Sequence, residues 1–233
     1  MTETPGVLFA IGLTLGIVIV AGVWVGRLCD RHNVADWGGK WLNRLDGLNR
    51  LFCGRFHRLV ADPVPLPERG GVIVAANHIS GLDPLLMIAA CSRPLRFMIA
   101  TEQYDRWWLR WLLELIGCIP VNRSHRPERA FYSARQALDR GEAVAVFPQG
   151  GIHLPDVGPA RLKPGIVFLA GLAGVPVVPL HISGVRGVGR VIPAVFLRSR
   201  ARVRAGAAVS VADKRSEQCL QRINRFILQA IDV

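Results

Sequence analysis

Residues 71–92 read "GVIVAANHISGLDPLLMIAACS", and how they divide decides the fold. The opening "GVIVAA" (71–76) is a short apolar run rich in β-branched residues, which predicts a buried strand. The closing "DPLLMIAACS" (83–92) predicts a helix, with Pro84 suited to the first helical turn. Between them lie Asn77, His78 and a Ser-Gly loop. Asp83 before Pro84 is a natural helix N-cap. It is also the carboxylate five positions after a histidine whose backbone a strand holds. Cap and base-orienting carboxylate are both open readings, and they are compatible.

The same alternation continues outward. Strands are expected at "LRFMIA" (95–100), "CIPVN" (118–122), "EAVAVFP" (142–148) and "VPVVPLHI" (175–182), with an edge strand in "ARVRAGAAV" (201–209). Helices are expected at "RWWLRWLLELIG" (106–117, closed by Gly117), "PERAFYSARQALDR" (127–140, Pro127 at its start and Gly141 beyond its end), "GIVFLAGLAG" (165–174) and "EQCLQRINRFILQA" (217–230). Apolar strands alternating with helices predict an α/β fold, its mixed and mostly parallel sheet covered by helices on both faces. In such sheets, functional side chains collect beyond the carboxyl ends of the strands. Asn77-His78, Arg123, the 149–153 turn and the turn leading to Lys163 all fall there.

Upstream of "DPVPLPERGG", a Pro/Gly-rich linker, the chain changes character. Residues 6–26, "GVLFAIGLTLGIVIVAGVWVG", carry no charge. That is long enough for a span of about 20 apolar residues. A cleaved signal peptide is the alternative; no basic residue precedes the run, and it exceeds the ~7–15 residues of a typical signal core. Arg27, Arg31, Lys40 and Arg44 follow the span, so the positive-inside rule places the bulk of the chain in the cytoplasm. Trp37, Trp41, Leu45, Leu48, Phe52, Phe56 and Leu59 then recur at helical spacing, with Lys40, Arg44, Arg50, Arg55 and Arg58 between them. This is an amphipathic helix over 37–60, either lying among lipid headgroups or packed on the domain. The expected organisation is a membrane anchor over 1–60 and a catalytic domain over 61–233.

The formal charge of +12 and the 51% hydrophobic content fit this arrangement. Such charge points to nucleic acid or to an anionic membrane. No finger, zipper or helix-turn-helix pattern is present to use it on nucleic acid, so membrane lipid is the expected partner. Basic side chains are nearly all arginine, with lysine only at Lys40, Lys163 and Lys214. Cys29, Cys53, Cys91, Cys118 and Cys219 are scattered without a C-x-x-C pair, which suggests neither a disulfide framework nor a zinc site.

"NHISGLD", "GCIPVNR", "VFPQGG…RLKPG" and "VPVVPL" follow one another in the order and spacing of the four blocks of the glycerolipid acyltransferases. From about residue 60 to 210 the chain resembles the 1-acylglycerol-3-phosphate acyltransferases. The resemblance implies a glycerol-phosphate acyltransferase-like fold and transfer of a fatty acyl group from acyl-ACP or acyl-CoA to the hydroxyl of a lysophospholipid, most simply 1-acyl-glycerol-3-phosphate. It implies His78 as general base oriented by Asp83, no acyl-enzyme, no metal, and no cofactor beyond the thioester of acyl carrier protein or CoA. Arg123 and Lys163 are then expected at the acceptor phosphate, and the Gly150-Gly151 turn beside Gln149 as oxyanion donor. It also implies the inner face of a bacterial membrane as location.

The third block departs from the family's usual F-P-E-G-T-R-S. Gln149 stands for Glu, Gly151 for Thr and Ile152 for Arg, which leaves another lyso-lipid acceptor, or a catalytically weak lipid-binding protein, as alternatives. His153 reads as a surface histidine. In the Trp-rich helix, Trp108 and Trp111 are the residues expected to meet lipid.

Overall fold

Val72–Ala76 (β2) has neighbours on both sides and both faces, so every one of its five side chains is buried. Its side chains alternate between two cores, Val72, Val74 and Ala76 on one side and Ile73 and Ala75 on the other. Such burial on both faces is characteristic of a parallel sheet covered by helices. The computed structural model describes residues 4–122, 127–153, 162–211 and 216–228.

The remaining strands are Val60–Ala61 (β1), Leu95–Ala100 (β3), Ile119–Val121 (β4), Ala143–Val146 (β5), Val177–Ser183 (β6) and Arg202–Ala205 (β7). They form one sheet in the order β1-β7-β6-β2-β5-β3-β4. The strands from β6 to β4 are mutually parallel; β7 runs antiparallel to β6, and β1 is parallel to β7. Asp83–Ala90 (α3), Thr101–Tyr104 (α4) and Trp107–Leu115 (α5) lie on the Val72 side. Pro127–Asp139 (α6), Gly165–Ala173 (α7) and Ser216–Leu228 (α9) cover the other side, and Ile192–Phe196 (α8) sits in the β6–β7 connection.

Thr4–His32 (α1) is long and apolar enough to cross a membrane, and its side chains from Phe9 to Val25 are exposed. Its C-terminal end turns back onto Lys40–Leu51 (α2), where the backbones meet at Gly47. A Cβ there would lie 1.9 Å from the Cys29 carbonyl oxygen, so only glycine permits the approach. Arg44 closes the hairpin with a two-pronged bond to Asp30, at 2.9 and 3.0 Å.

Three sequence expectations are corrected here. The amphipathic helix does not run to residue 60. It passes into a π-helical turn at Phe52–Phe56 and breaks at Arg58, whose φ of 49° is left-handed. Val60 then joins the seven-stranded sheet, its N–H bonded to Ala201 O. β7 is consequently not the edge strand, because β1 lies outside it. Arg50, expected on a basic flank, turns inward. It donates to the carbonyls of Ala89, Ile88 and Cys91 at the end of α3 and to Asp46 at 2.7 Å. A guanidinium there satisfies carbonyls that no intrahelical donor reaches and sits at the negative end of the helix dipole. Trp41 and Leu48 remain on the exposed side of α2, while Phe52 and Leu59 pack against the catalytic core. One face of this segment thus packs on the domain, and Trp41 and Leu48 on the other face are exposed.

Burial pushes the thiols of Cys53, Cys91 and Cys118 up to about 12, which makes them inert packing groups. It also depresses the imidazoles of His57 and His181. A histidine lowered in the fold binds its proton more readily when unfolded. Stability is therefore full above the ordinary imidazole pKa of about 6.5 and declines as pH falls below it. Denaturant titrations across pH 5–8 are expected to show that decline, shallower in His181→Gln. Arg50→Ala, which strands Asp46 and three carbonyls, is expected to lower unfolding free energy by about 3 kcal/mol, read by denaturant titration in detergent.

Candidate active site

Beyond the carboxyl end of β2 the chain crosses to α3 through residues 77–82, and this loop is held from four directions. At its base Asn77 is buried. Its side-chain amide donates to Ile182 O at 2.8 Å and accepts from Ile182 N at 2.7 Å, tying the end of β2 to that of β6. Asp83 holds the far end. Its carboxylate is fully buried and accepts from His78 Nδ1 (2.8 Å), Ile79 N (2.7 Å), Ser80 N (2.8 Å) and Ser80 Oγ (2.8 Å).

These bonds correct the reading of Asp83 as an N-cap. α3 begins at Asp83 itself, and the cap position belongs to Leu82, which makes no side-chain cap bond. The carboxylate reaches back to the loop's own amides and not forward to the first turn. It remains at the positive end of the helix, where the dipole favours negative charge. An ionised carboxylate is an acceptor only, and each of its four partners can donate. His78 accordingly carries its proton on Nδ1, which leaves Nε2 as the basic nitrogen. The His78 side chain is 18% exposed. Its ring stacks on Phe147, with centroids 4.1 Å apart and planes 15° from parallel, so both rotation and tilt of the imidazole are restricted.

The third block supplies the other two restraints. Gln149 Oε1 accepts from the backbone N–H of His78 at 2.6 Å, and the N–H of His153 donates to His78 O at 2.8 Å. Position 149 therefore serves the histidine loop as an acceptor, a duty that an amide performs without a charge. His153, read as a surface side chain, contributes its backbone to the site. The Gly150 N–H closes a turn on Phe147 O at 2.9 Å. Lys163 is brought over this turn, since a Cβ on Gly150 would come within 2.7 Å of Lys163 Nζ. Thus His78, Asp83, Gln149, Gly150, Gly151 and Lys163 meet in one place. Arg123 lies outside the described residues. Among the described residues no cluster of three or more His, Cys, Asp or Glu side chains could hold a metal ion.

Sequence reasoning missed two supports. The sequence places Asn77 beside His78 beyond the strand end without giving it a partner, although an amide ending a buried strand must find one. The second support is the β6–β7 connection. Gly81 N bonds Arg190 O at 3.0 Å and Gly189 N bonds Ile79 O at 2.8 Å. Gly81 packs so closely that a Cβ would lie 2.3 Å from Val191 O. No local pattern in the sequence announces this contact between segments about 110 residues apart.

Residues 57–183 match the family model described as Acyltransferase. A probable 1-acyl-sn-glycerol-3-phosphate acyltransferase of Mycoplasma pneumoniae is 34% identical over 137 residues, covering 55% of this chain and 50% of that protein. The 1-acyl-sn-glycerol-3-phosphate acyltransferase of Bacillus subtilis is 27% identical over 120 residues, covering 51% and 59%. The chain spans about half the length of the curated relatives it matches. Its fold is shared with the crystal structure of the 1-acyl-sn-glycerophosphate (LPA) acyltransferase of Thermotoga maritima, with a TM-score of 0.63 and 20% identity over 96% of both chains.

Gln149→Leu removes the acceptor of a part-buried N–H and is expected to cost about 1–3 kcal/mol of stability. Thermal unfolding in detergent, with hydrogen exchange at the His78 amide, measures it.

Proposed function

The chain belongs to the acyltransferase family, and from that premise we propose that it acylates the free hydroxyl of a lysophospholipid, first of all 1-acyl-glycerol-3-phosphate. The donor is a fatty acyl thioester of acyl carrier protein or CoA. The observation that carries this reading is the bond from His78 Nδ1 to the buried Asp83 carboxylate at 2.8 Å, beneath a ring that solvent still reaches. The Mycoplasma and Bacillus relatives, a probable and a named 1-acyl-sn-glycerol-3-phosphate acyltransferase, support the choice of acceptor.

His78 Nε2 takes the hydroxyl proton as the oxygen attacks the thioester carbonyl carbon. Asp83 holds the ring and stabilises the imidazolium, as in the histidine–aspartate pair of a hydrolase triad. The tetrahedral intermediate collapses with cleavage of the C–S bond, and the imidazolium returns the proton to the departing sulfur. With the Gly150 N–H engaged in its turn, the donor to the oxyanion is the N–H of Gly151. Lys163 over the turn holds the acceptor's phosphate, together with Arg123, whose role rests on the family resemblance of its sequence block. Neither a metal nor any cofactor apart from the thioester enters this scheme.

The catalytic domain stands on the cytoplasmic side of a bacterial inner membrane, anchored by α1 and by the outer face of α2. On α5 the aromatic side chains Trp107, Trp108 and Trp111 are exposed, Trp107 at 87%, and all three are suited to the headgroup level. Ile152 favours a second reading, in which the acceptor is another polar lyso-lipid, because an aliphatic side chain replaces the family's usual arginine.

His78→Ala is expected to lower turnover by ~10²–10⁴, the usual worth of a general base, in protein whose circular dichroism shows that it remains folded. Asp83→Asn keeps the shape and loses the charge, and turnover falls in the same direction. Lys163→Ala raises KM for the acceptor more than it lowers kcat. Purified protein assayed with labelled acyl donor and a panel of lyso-lipids decides the acceptor. Product formed only from phosphate-free acceptors would overturn the roles given to Lys163 and Arg123.

A further inference from the structure

The connection between β6 and β7, residues 184–201, is long for two strands that pair antiparallel, and its composition is one-sided. From residue 157 to residue 212 the sequence contains no Asp or Glu. Within the connection stand Arg186, Arg190, Arg198 and Arg200, all exposed, and none of them is in an ion pair among the described residues. Between them, on and beside α8, Val191, Ile192, Phe196 and Leu197 are exposed as well, Phe196 at 73%. Arg202 and Arg204 do not belong to this patch. They pair in register with Ser183 and His181, so they point to the α9 side of the sheet, and Ile182 and Val203 to the other.

We propose that residues 186–200 form a second membrane-docking surface, which seats on the anionic headgroups of the bilayer that carries α1. This rests on the membrane-anchored reading above. Three observations commit the surface to lipid. Unpaired arginines without acidic neighbours complement an anionic surface, at about 1 kcal/mol for each cation brought near it. Exposed aliphatic and aromatic side chains among those arginines match a headgroup region, where apolar groups insert while guanidinium groups stay wet. Finally, the segment is continuous with the anchor. His57, at the end of the π-helical turn that extends α2, bonds Val195 O through Nε2 at 3.1 Å, and its carbonyl accepts from Ala201 N at 2.9 Å.

The surface also abuts the site, because the Gly81–Arg190 and Gly189–Ile79 bonds join it to the loop that carries His78. Docking therefore brings the catalytic loop to the headgroup level, where the hydroxyl of a lysolipid resides. The acceptor can then react without leaving the bilayer.

The test uses the full chain in nanodiscs of phosphatidylcholine alone or with about 30% phosphatidylglycerol, followed by hydrogen–deuterium exchange. Amides of residues 185–200 are expected to exchange about tenfold more slowly in the anionic discs. Arg186, Arg190, Arg198 and Arg200 changed together to Gln should return them to the phosphatidylcholine rate with an unchanged thermal midpoint. Phe196→Ser, a surface change, should weaken the protection on its own. Equal exchange in both disc types would overturn the proposal. So would protection that appears only when acyl carrier protein is added, since the partner would then be an acidic protein. Acyltransferase assays on the same samples separate the two readings: protection without activity upholds the surface and removes the proposed function, and activity without protection does the reverse.

Discussion

One buried carboxylate organises the active end of this protein. Asp83 is wholly enclosed, and a charge in that position is tolerable only if its lone pairs are occupied. Its four donors all come from His78, Ile79 and Ser80. The bonds that keep Asp83 stable therefore also give the loop its shape and the imidazole its tautomer. Preorganisation and stability are here the same set of hydrogen bonds. The imidazole is thereby held in one orientation by bonds that the buried carboxylate already requires.

The rest of the fold supplies walls for that loop. β2 lies in the interior of the sheet between β6 and β5, and each neighbour sends a restraint past its carboxyl end. From the end of β6 comes the pair of hydrogen bonds between Ile182 and Asn77. From β5 come Phe147 under the imidazole and Gln149 on the His78 amide. Gln149 shows why a departure from the usual block pattern leaves this geometry intact: the His78 amide needs an acceptor oxygen, which Gln and Glu both have. Ile152 has no such equivalence, because an aliphatic side chain cannot hold an anion. The departure leaves the His78–Asp83 bond in place.

The N-terminal helices are joined to the sheet domain by two arginines, one histidine and one close backbone approach. Arg50 anchors α2 to the end of α3, Arg44 and Gly47 anchor α1 to α2, and His57 links the same segment to α8. Helix α2 is thus a shared element, with Trp41 and Leu48 outward and Asp46 and Arg50 inward. A helical-spacing argument assigns one face as apolar. Here both faces are engaged, and the inward one is largely polar, because it has helix-end carbonyls to satisfy.

Read alone, the sequence determined the alternation of strands and helices, the apolar α1, the family and the identity of the pair, His78 and Asp83. These are carried by local periodicity and by short blocks whose residues are neighbours along the chain. It also placed Gln149, Gly150, Gly151 and Lys163 at one end of the sheet, because each follows a recognisable strand or turn. Only the tertiary structure decided that Asp83 serves the loop and not its helix, that Arg50 turns inward, and that Val60 leaves the amphipathic helix to become the edge of the sheet. It alone revealed that Gly81 and Gly189 knit the histidine loop to a segment about 110 residues away. Each of these depends on which hydrogen-bond partner lies nearest in space. A buried polar group takes whatever partner the fold brings to it, and distance along the chain carries no record of that choice.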